Sequence, residues 1–125
     1  MQDDKDLDDP ELLSYLIDAL RELADVRQRE GKWDEGHSYL QTALQALDGR
    51  PLPHAVQRRR VILERMAWGL FRKGDLEEAL RTARSAVADL SVDEAGTDAV
   101  VLANLYNTLG GIAWQQGNHE EAITS

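Results

Sequence analysis

Cysteine is absent from the 125 residues of this chain. This absence excludes a disulfide scaffold and a metal site built on thiolates, and it is compatible with a reducing, cytoplasmic setting. Long apolar runs are absent too, and none approaches the roughly 20 residues that a membrane-spanning helix needs. Residues 1–9 are acidic and polar, unlike a signal peptide. The sequence therefore predicts a cytoplasmic protein without membrane contact.

Basic residues are outnumbered, since 14 Lys and Arg face 23 Asp and Glu and the formal net charge is −9. This charge argues against nucleic acid and anionic membrane as partners and favours a basic or neutral partner. The single basic run is Arg58-Arg59-Arg60, with Arg65 and Arg72 further along the chain. It predicts a solvated helix face that pairs with neighbouring acids, and the alternative is a phosphate or nucleic-acid patch.

Glycine is not abundant, with nine residues, but three of them are evenly spaced. Gly31, Gly74 and Gly117 lie 43 residues apart and open the similar segments GKWDEG, GDLEEA and GNHEEA. A fixed period of this size indicates a repeat array. Each glycine follows a helical pattern and predicts a left-handed turn that ends one helix, and the acidic residues after it suit the first turn of the next.

Proline interrupts helices, and the three prolines of this chain mark helix limits. Asp9-Pro10 predicts a capped helix start, and Pro51 and Pro53 stop a helix after Asp48. Between these limits the apolar residues recur at helical spacing and no strand pattern occurs. The sequence predicts six helices, at about 11–30, 32–48, 54–73, 75–90, 99–116 and 118–125, with a loop at 92–96 and a cap at Thr97 or Asp98.

Short glycine turns join these helices into antiparallel pairs, and an even repeat stacks the pairs in one direction. The predicted fold is therefore an all-α solenoid of about three repeats, the last one truncated. The predicted organisation is a disordered acidic lead-in at 1–9 and one domain at 10–125, with repeats at about 11–48, 54–91 and 98–125.

The repeats resemble the tetratricopeptide repeat family from about Leu16 onwards. Seven residues before each turn glycine that family has a small residue, here Ala24, Ala67 and Gly110. Twelve after the glycine it has Ala, as at positions 43 and 86. The period of 43 exceeds the family's usual length of about 34, and the longer period is similar to that of kinesin light chains and bacterial signalling proteins. Arg27 departs from the family, which prefers a large apolar residue there.

This resemblance implies a right-handed solenoid in which the first helix of each pair lines a concave groove. It implies protein–protein interaction as the function, without catalysis, in a larger bacterial signalling or regulatory protein. The residues that it places on the groove are Arg21, Asp25 and Gln28 in repeat one, Glu64, Trp68 and Phe71 in repeat two, and Asn104, Asn107 and Trp114 in repeat three.

The groove composition suits a peptide. Aromatic rings such as Trp68 and Trp114 supply apolar contact, and the amides of Asn104 and Asn107 can pair with an extended peptide backbone. The alternative is that these rings only fill space between helices. A clamp for a C-terminal carboxylate is not predicted, because Glu64 and Asp25 occupy positions where such a clamp has basic residues or Asn.

No catalytic, metal or cofactor site emerges from the residue pattern. The three histidines, His37, His54 and His119, have no partner at metal-ligand spacing. The paired glutamates recur with the repeat in first turns, where they stabilise helices. The sequence therefore predicts neither an enzyme nor a bound cofactor.

The end of the array is predicted to be open. The fifth helix carries Leu102, Leu105, Leu109 and Ile112, which a complete sixth helix would cover, and repeat arrays normally need a polar cap. This predicts a fragment of a longer array and a homo-oligomer formed through the open end. Two other functions stay open at this point: a structural spacer or oligomerisation module without a groove ligand, and a sensor that binds a peptide or small ligand to control an attached enzyme.

Overall fold

The computed structural model describes residues 9–50, 52, 54–90 and 99–124. Those residues form five α-helices, with no strand among them. The lead-in before Asp9, the loop at 92–96 and the cap at 97–98 lie outside the described residues. The helices are α1 (Pro10–Arg29), α2 (Trp33–Leu47), α3 (Ala55–Lys73), α4 (Leu76–Leu90) and α5 (Ala99–Thr124).

The start of α1 follows the sequence signal. Asp9 has extended backbone angles and its Oδ1 accepts a hydrogen bond of 3.0 Å from the backbone N–H of Glu11, while Pro10 occupies the first helical position. The carboxylate satisfies a backbone donor that has no partner inside the helix, and proline needs none there. The predicted helix start is confirmed.

The first two repeated turns have the same construction. Gly31 and Gly74 have φ values of 78° and 100°, which glycine adopts without steric cost. The residues that follow them donate backbone hydrogen bonds of 2.8 and 2.9 Å back to the carbonyls of Arg27 and Leu70. These bonds satisfy carbonyls at the ends of α1 and α3, so each chain reversal is closed locally.

Each turn is followed by a close helix–helix approach. A Cβ built on Gly36 of α2 would lie 3.2 Å from the carbonyl oxygen of Ala24 in α1. At the equivalent positions of the next pair, 43 residues later, Ala67 and Ala79 are completely buried. Small residues at these positions therefore let α1 and α2, and α3 and α4, pack as tight pairs.

The helices pack in an ordered series. Contacts join α1 to α2, α2 to α3, α3 to α4 and α4 to α5, and further contacts join α1 to α3 and α3 to α5. Among the described residues, α1 does not contact α5 and α2 does not contact α4. One core runs through the series; its most buried members include Ile17, Leu40, Ile62, Ala83 and Leu105.

The predicted turn at Gly117 is wrong. α5 continues through this glycine to Thr124, and Gly117 is not among the glycines with positive φ. Glycine inside a helix costs only about 1 kcal/mol, so it does not end a helix unless a returning helix packs back. Among the described side chains, nothing lies within 4 Å of a Cβ built on Gly110, the equivalent of Ala24 and Ala67.

The predicted exposure on α5 is also wrong. Leu105 and Ile112 are completely buried, and Leu102 and Leu109 pack partly buried against the core. The large apolar side chains that the described part of α5 does expose are Val100, Tyr106 and Trp114. The correction follows from the helix series, because α3 and α4 already cover the leucine face of α5. None of the helices in the described part of the chain combines the length and apolar character that a membrane crossing requires.

Candidate binding groove

A groove of about 510 Å³ lies between α1, α3 and the start of α5. Its walls come from the faces of these three helices that point to the same side of the molecule. The lining side chains are Ile17, Asp18, Arg21 and Asp25 of α1, His54 before α3, Gln57, Arg58, Val61, Ile62, Glu64 and Arg65 of α3, and Val100, Val101 and Asn104 of α5.

A bidentate ion pair closes one side of the groove. Nε and Nη2 of Arg58 donate hydrogen bonds of 3.1 and 3.0 Å to the two carboxylate oxygens of Asp18. The pair joins α1 to α3, and its planar geometry fixes both side chains. Part of the basic run therefore does pair with a neighbouring acid, as predicted.

Arg65 is the centre of a second charged cluster. Its Nε and Nη2 donate hydrogen bonds of 2.6 and 2.9 Å to Glu64, which is only 2% exposed. Its Nη1 lies 3.7 Å from Oδ1 of Asp25, and Arg21 donates a 3.4 Å hydrogen bond to Oδ2 of Asp25. The hydrogen bonds to Glu64 raise the pKa of Arg65 above its ordinary value, with Asp25 adding to the effect.

One oxygen of this cluster has unused hydrogen-bonding capacity. Oδ1 of Asp25 is buried and accepts no hydrogen bond from the described residues. A buried carboxylate oxygen without a donor is costly. Nη1 of Arg65, 3.7 Å away, offsets part of that cost as an ion pair.

Apolar side chains form the rest of the groove. Ile17 and Ile62 are each 1% exposed, and Val101 is 7% exposed. Val61 is half-buried and Val100 is exposed, so both can be covered further by a ligand. The groove therefore combines fixed charges along its walls with an apolar surface that a side chain can contact.

A second cavity of about 360 Å³ continues the groove, since Asp25 and Arg65 line both. Here the guanidinium of Arg72 lies 5.5 Å from the ring centroid of Trp68, within the range of a cation–π contact. The remaining lining residues are Gln28, Arg29 and Trp33. The surface that the two cavities share thus carries a charged section and an aromatic section side by side.

Two predicted groove residues pack in the contacts between helices. Gln28 is 5% exposed, and its Nε2 donates a 3.0 Å hydrogen bond to the backbone oxygen of Arg65. Phe71 is half-buried against Gly111, where a built Cβ would lie 2.7 Å from its ring. We call the α1–α3 contact the first junction and the α3–α5 contact the second junction. Gln28 and Phe71 hold these two junctions at positions 43 residues apart.

The structure brings most of the remaining predicted residues together. Arg21, Asp25, Glu64 and Asn104 line the groove, and Trp68 lines its continuation. Asn107 and Trp114 are exposed on α5 and line neither cavity, with Trp114 68% exposed. Trp114 occupies the position equivalent to Gln28 and Phe71, without a further helix to pack against.

Sequence reasoning missed part of the groove. Arg58 lies six residues before Glu64, and Val100 lies four residues before Asn104, so extending the predicted groove by two helical turns in α3 and by one in α5 would have found them. His54 has a positive φ of 53° before α3, and no sequence signal predicts it. Arg60 is 2% exposed, so the prediction of a fully solvated basic face is wrong at this residue.

Within the described residues, no group of three or more His, Asp or Glu side chains is placed to hold a metal ion. His37 lies apart from the groove, and burial lowers its pKa below the ordinary value of 6.5.

Comparisons of the chain with protein-family models, with curated proteins and with solved structures give no match.

Proposed function

We propose that the chain is a tetratricopeptide-type solenoid that binds an extended peptide of a partner protein in its groove and does not catalyse a reaction. The helix series supports the solenoid, because each helix contacts only helices one or two places along the chain. In a solenoid each repeat contacts only its neighbours. The two equivalent glycine turns and the 43-residue period support it further.

The observation that carries the proposed function is the groove of about 510 Å³ between α1, α3 and α5. Concave sites with apolar walls and a few fixed polar groups are typical of ligand binding. The ion pairs Arg58–Asp18 and Arg65–Glu64 hold their side chains before a ligand arrives. Binding then costs less side-chain entropy than it would with mobile arginines.

The lining chemistry favours a peptide with one apolar side chain and accessible backbone amides. Val61 and Val100 offer the apolar contact, and the amides of Gln57 and Asn104 can both donate to and accept from a peptide backbone. We further propose a cytoplasmic role in signalling or regulation, which rests on the resemblance of the repeats.

Selection from a displayed random-peptide library tests this function, followed by calorimetric titration of the selected peptides. We expect wild-type chain to enrich peptides and the Val100→Glu/Asn104→Ala variant to bind them at least about tenfold more weakly, since about 1.4 kcal/mol corresponds to a factor of ten. Tyr106→Glu is the matched control, because Tyr106 is exposed on α5 and lines neither cavity. Failure to enrich any peptide, or equal affinity of the groove variant and the control, would contradict the proposal.

A further inference from the structure

The outer face of α1 carries a regular apolar stripe that neither the core nor the groove uses. Leu12, Leu16, Ala19, Leu23 and Val26 are separated by four, three, four and three residues, and all five are exposed. The four larger side chains are 42–47% exposed. We call these five residues the outer seam. Alternating steps of four and three residues are the spacing of a coiled-coil interface, in which one helix packs lengthwise on another.

Positions equivalent to the outer seam are covered elsewhere in the chain. Ile62 and Met66 of α3, equivalent to Ala19 and Leu23, are 1% and 8% exposed. Ile112 of α5, two periods after Val26, is completely buried. These positions on α3 and α5 pack in the helix series, whereas α1 has no helix before it among the described residues. The outer seam therefore has the composition of a surface that a helix covers.

The charges at the two ends of α1 indicate which helix fits. Asp9 and Glu11 are exposed at its start, and Arg29 is exposed in its last turn. Arg27 beside it already pairs with Glu30 and Glu35 of the same chain. An antiparallel copy of the same helix would bring the acidic start of one chain beside the basic end of the other, twice, and would oppose the two helix dipoles.

We propose that two copies of the chain form a symmetric dimer through their outer seams, with the two α1 helices antiparallel. A two-fold axis near Ala19 places the smallest seam residue where the helices cross and pairs the same patch on both chains. Large exposed apolar patches are uncommon on monomers, and pairing removes the leucine side chains from water. The groove lies on another face of α1 and stays open in this dimer.

Light scattering after size exclusion tests whether the dimer forms. Wild-type chain should show twice the chain mass of 14.0 kDa at high concentration, and Leu16→Glu/Leu23→Glu should show the single mass. Circular dichroism should show unchanged helix content, because both positions are exposed. The matched control is Tyr106→Glu/Trp114→Glu, which changes two exposed aromatics of α5 and should remain dimeric. A wild-type mass of 14.0 kDa at every concentration, or a dimer lost only in the control, overturns the proposal.

Disulfide trapping tests the orientation of the two α1 helices. Because the sequence has no cysteine, only the introduced cysteines can form a disulfide. In an antiparallel pair centred near Ala19, position 12 of one chain lies beside position 26 of the other. Two copies of position 12 lie about 21 Å apart, since a helix rises about 1.5 Å per residue, which is too far for a disulfide. Leu12→Cys and Val26→Cys chains should therefore crosslink when mixed and not when oxidised separately. Crosslinking of each variant with itself overturns the antiparallel arrangement.

Discussion

The two junctions have equivalent places in the helix series and different chemistry. At the first junction, α1 meets α3 through the ion pairs Asp18–Arg58 and Asp25–Arg65 and through the buried amide of Gln28. At the second junction, the ring of Phe71 packs on α5 beside a small apolar cluster that includes Leu70 and Ile112.

Backbone spacing and side-chain chemistry therefore vary independently in this chain. Each junction places a side chain against a glycine, with Gln28 facing Gly69 and Phe71 facing Gly111. The glycine allows the close approach, and either an amide or an aromatic ring then occupies the space. The first junction leaves charged groups on the groove, whereas the second provides mainly apolar packing.

The largest expected effect comes from Phe71→Ala. Removing a ring packed between α3 and α5 loses apolar burial and leaves a cavity, so we expect a loss of about 2–4 kcal/mol in the free energy of unfolding. Urea denaturation followed by circular dichroism measures it. Trp114→Ala is the control at the equivalent exposed position and should change stability by less than about 0.5 kcal/mol. Equal effects of the two variants would show that the second junction does not depend on the ring.

A smaller effect is expected from adding one methyl group at the second junction. In Gly111→Ala the new Cβ would lie 2.7 Å from the Phe71 ring, so the ring must shift. We expect the cost of about 1–3 kcal/mol for overpacking to exceed the gain of about 1 kcal/mol in helix propensity. Gly110→Ala is the neighbouring control, because nothing lies within 4 Å of its built Cβ. It should raise the thermal midpoint while Gly111→Ala lowers it, and a rise in both would contradict the close contact.

The smallest expected effect is a pH dependence of stability caused by His37 of α2. Burial lowers the pKa of His37 in the folded chain, and Lys73 of α3 adds to the shift while Asp34, Glu78 and Asp75 oppose it. The unfolded chain therefore takes up a proton first as the pH falls below about 6.5, and the contribution of His37 to stability decreases from that pH downward. Urea midpoints at pH 7.5 and 5.5 should differ more for wild-type chain than for His37→Gln. An equal difference in both would remove His37 as the cause.

The fold could be predicted from the sequence as far as local signals determine it. Asp9-Pro10 predicts the start of α1, and the glycines at 31 and 74 predict two turns because their backbone angles need glycine. Gly117 has the same sequence context and lies inside a helix. The difference comes from packing, because the turns at Gly31 and Gly74 are each followed by a helix that packs back, which a local motif does not specify.

The candidate site could be predicted by position but only partly by role. Of the groove residues that the resemblance implies, Arg21, Asp25, Glu64 and Asn104 line one cavity. Spacing does not distinguish a side chain that faces solvent from one that fills a junction, so Gln28 and Phe71 were indistinguishable from groove residues. The distinction depends on the neighbouring helix and on where that helix has a glycine.

The order in which the helices contact one another affects how the chain folds. α3 contacts all four other helices in the described part of the chain, and the other contacts join helices that are neighbours in sequence. Such contacts join segments that are close in sequence, so forming them costs little loop-closure entropy. We therefore expect fast folding. Structure can spread from α3 in both directions along the chain. The α1–α2 pair and the terminal helix α5 then join last and open first, without requiring the α3–α4 pair to unfold.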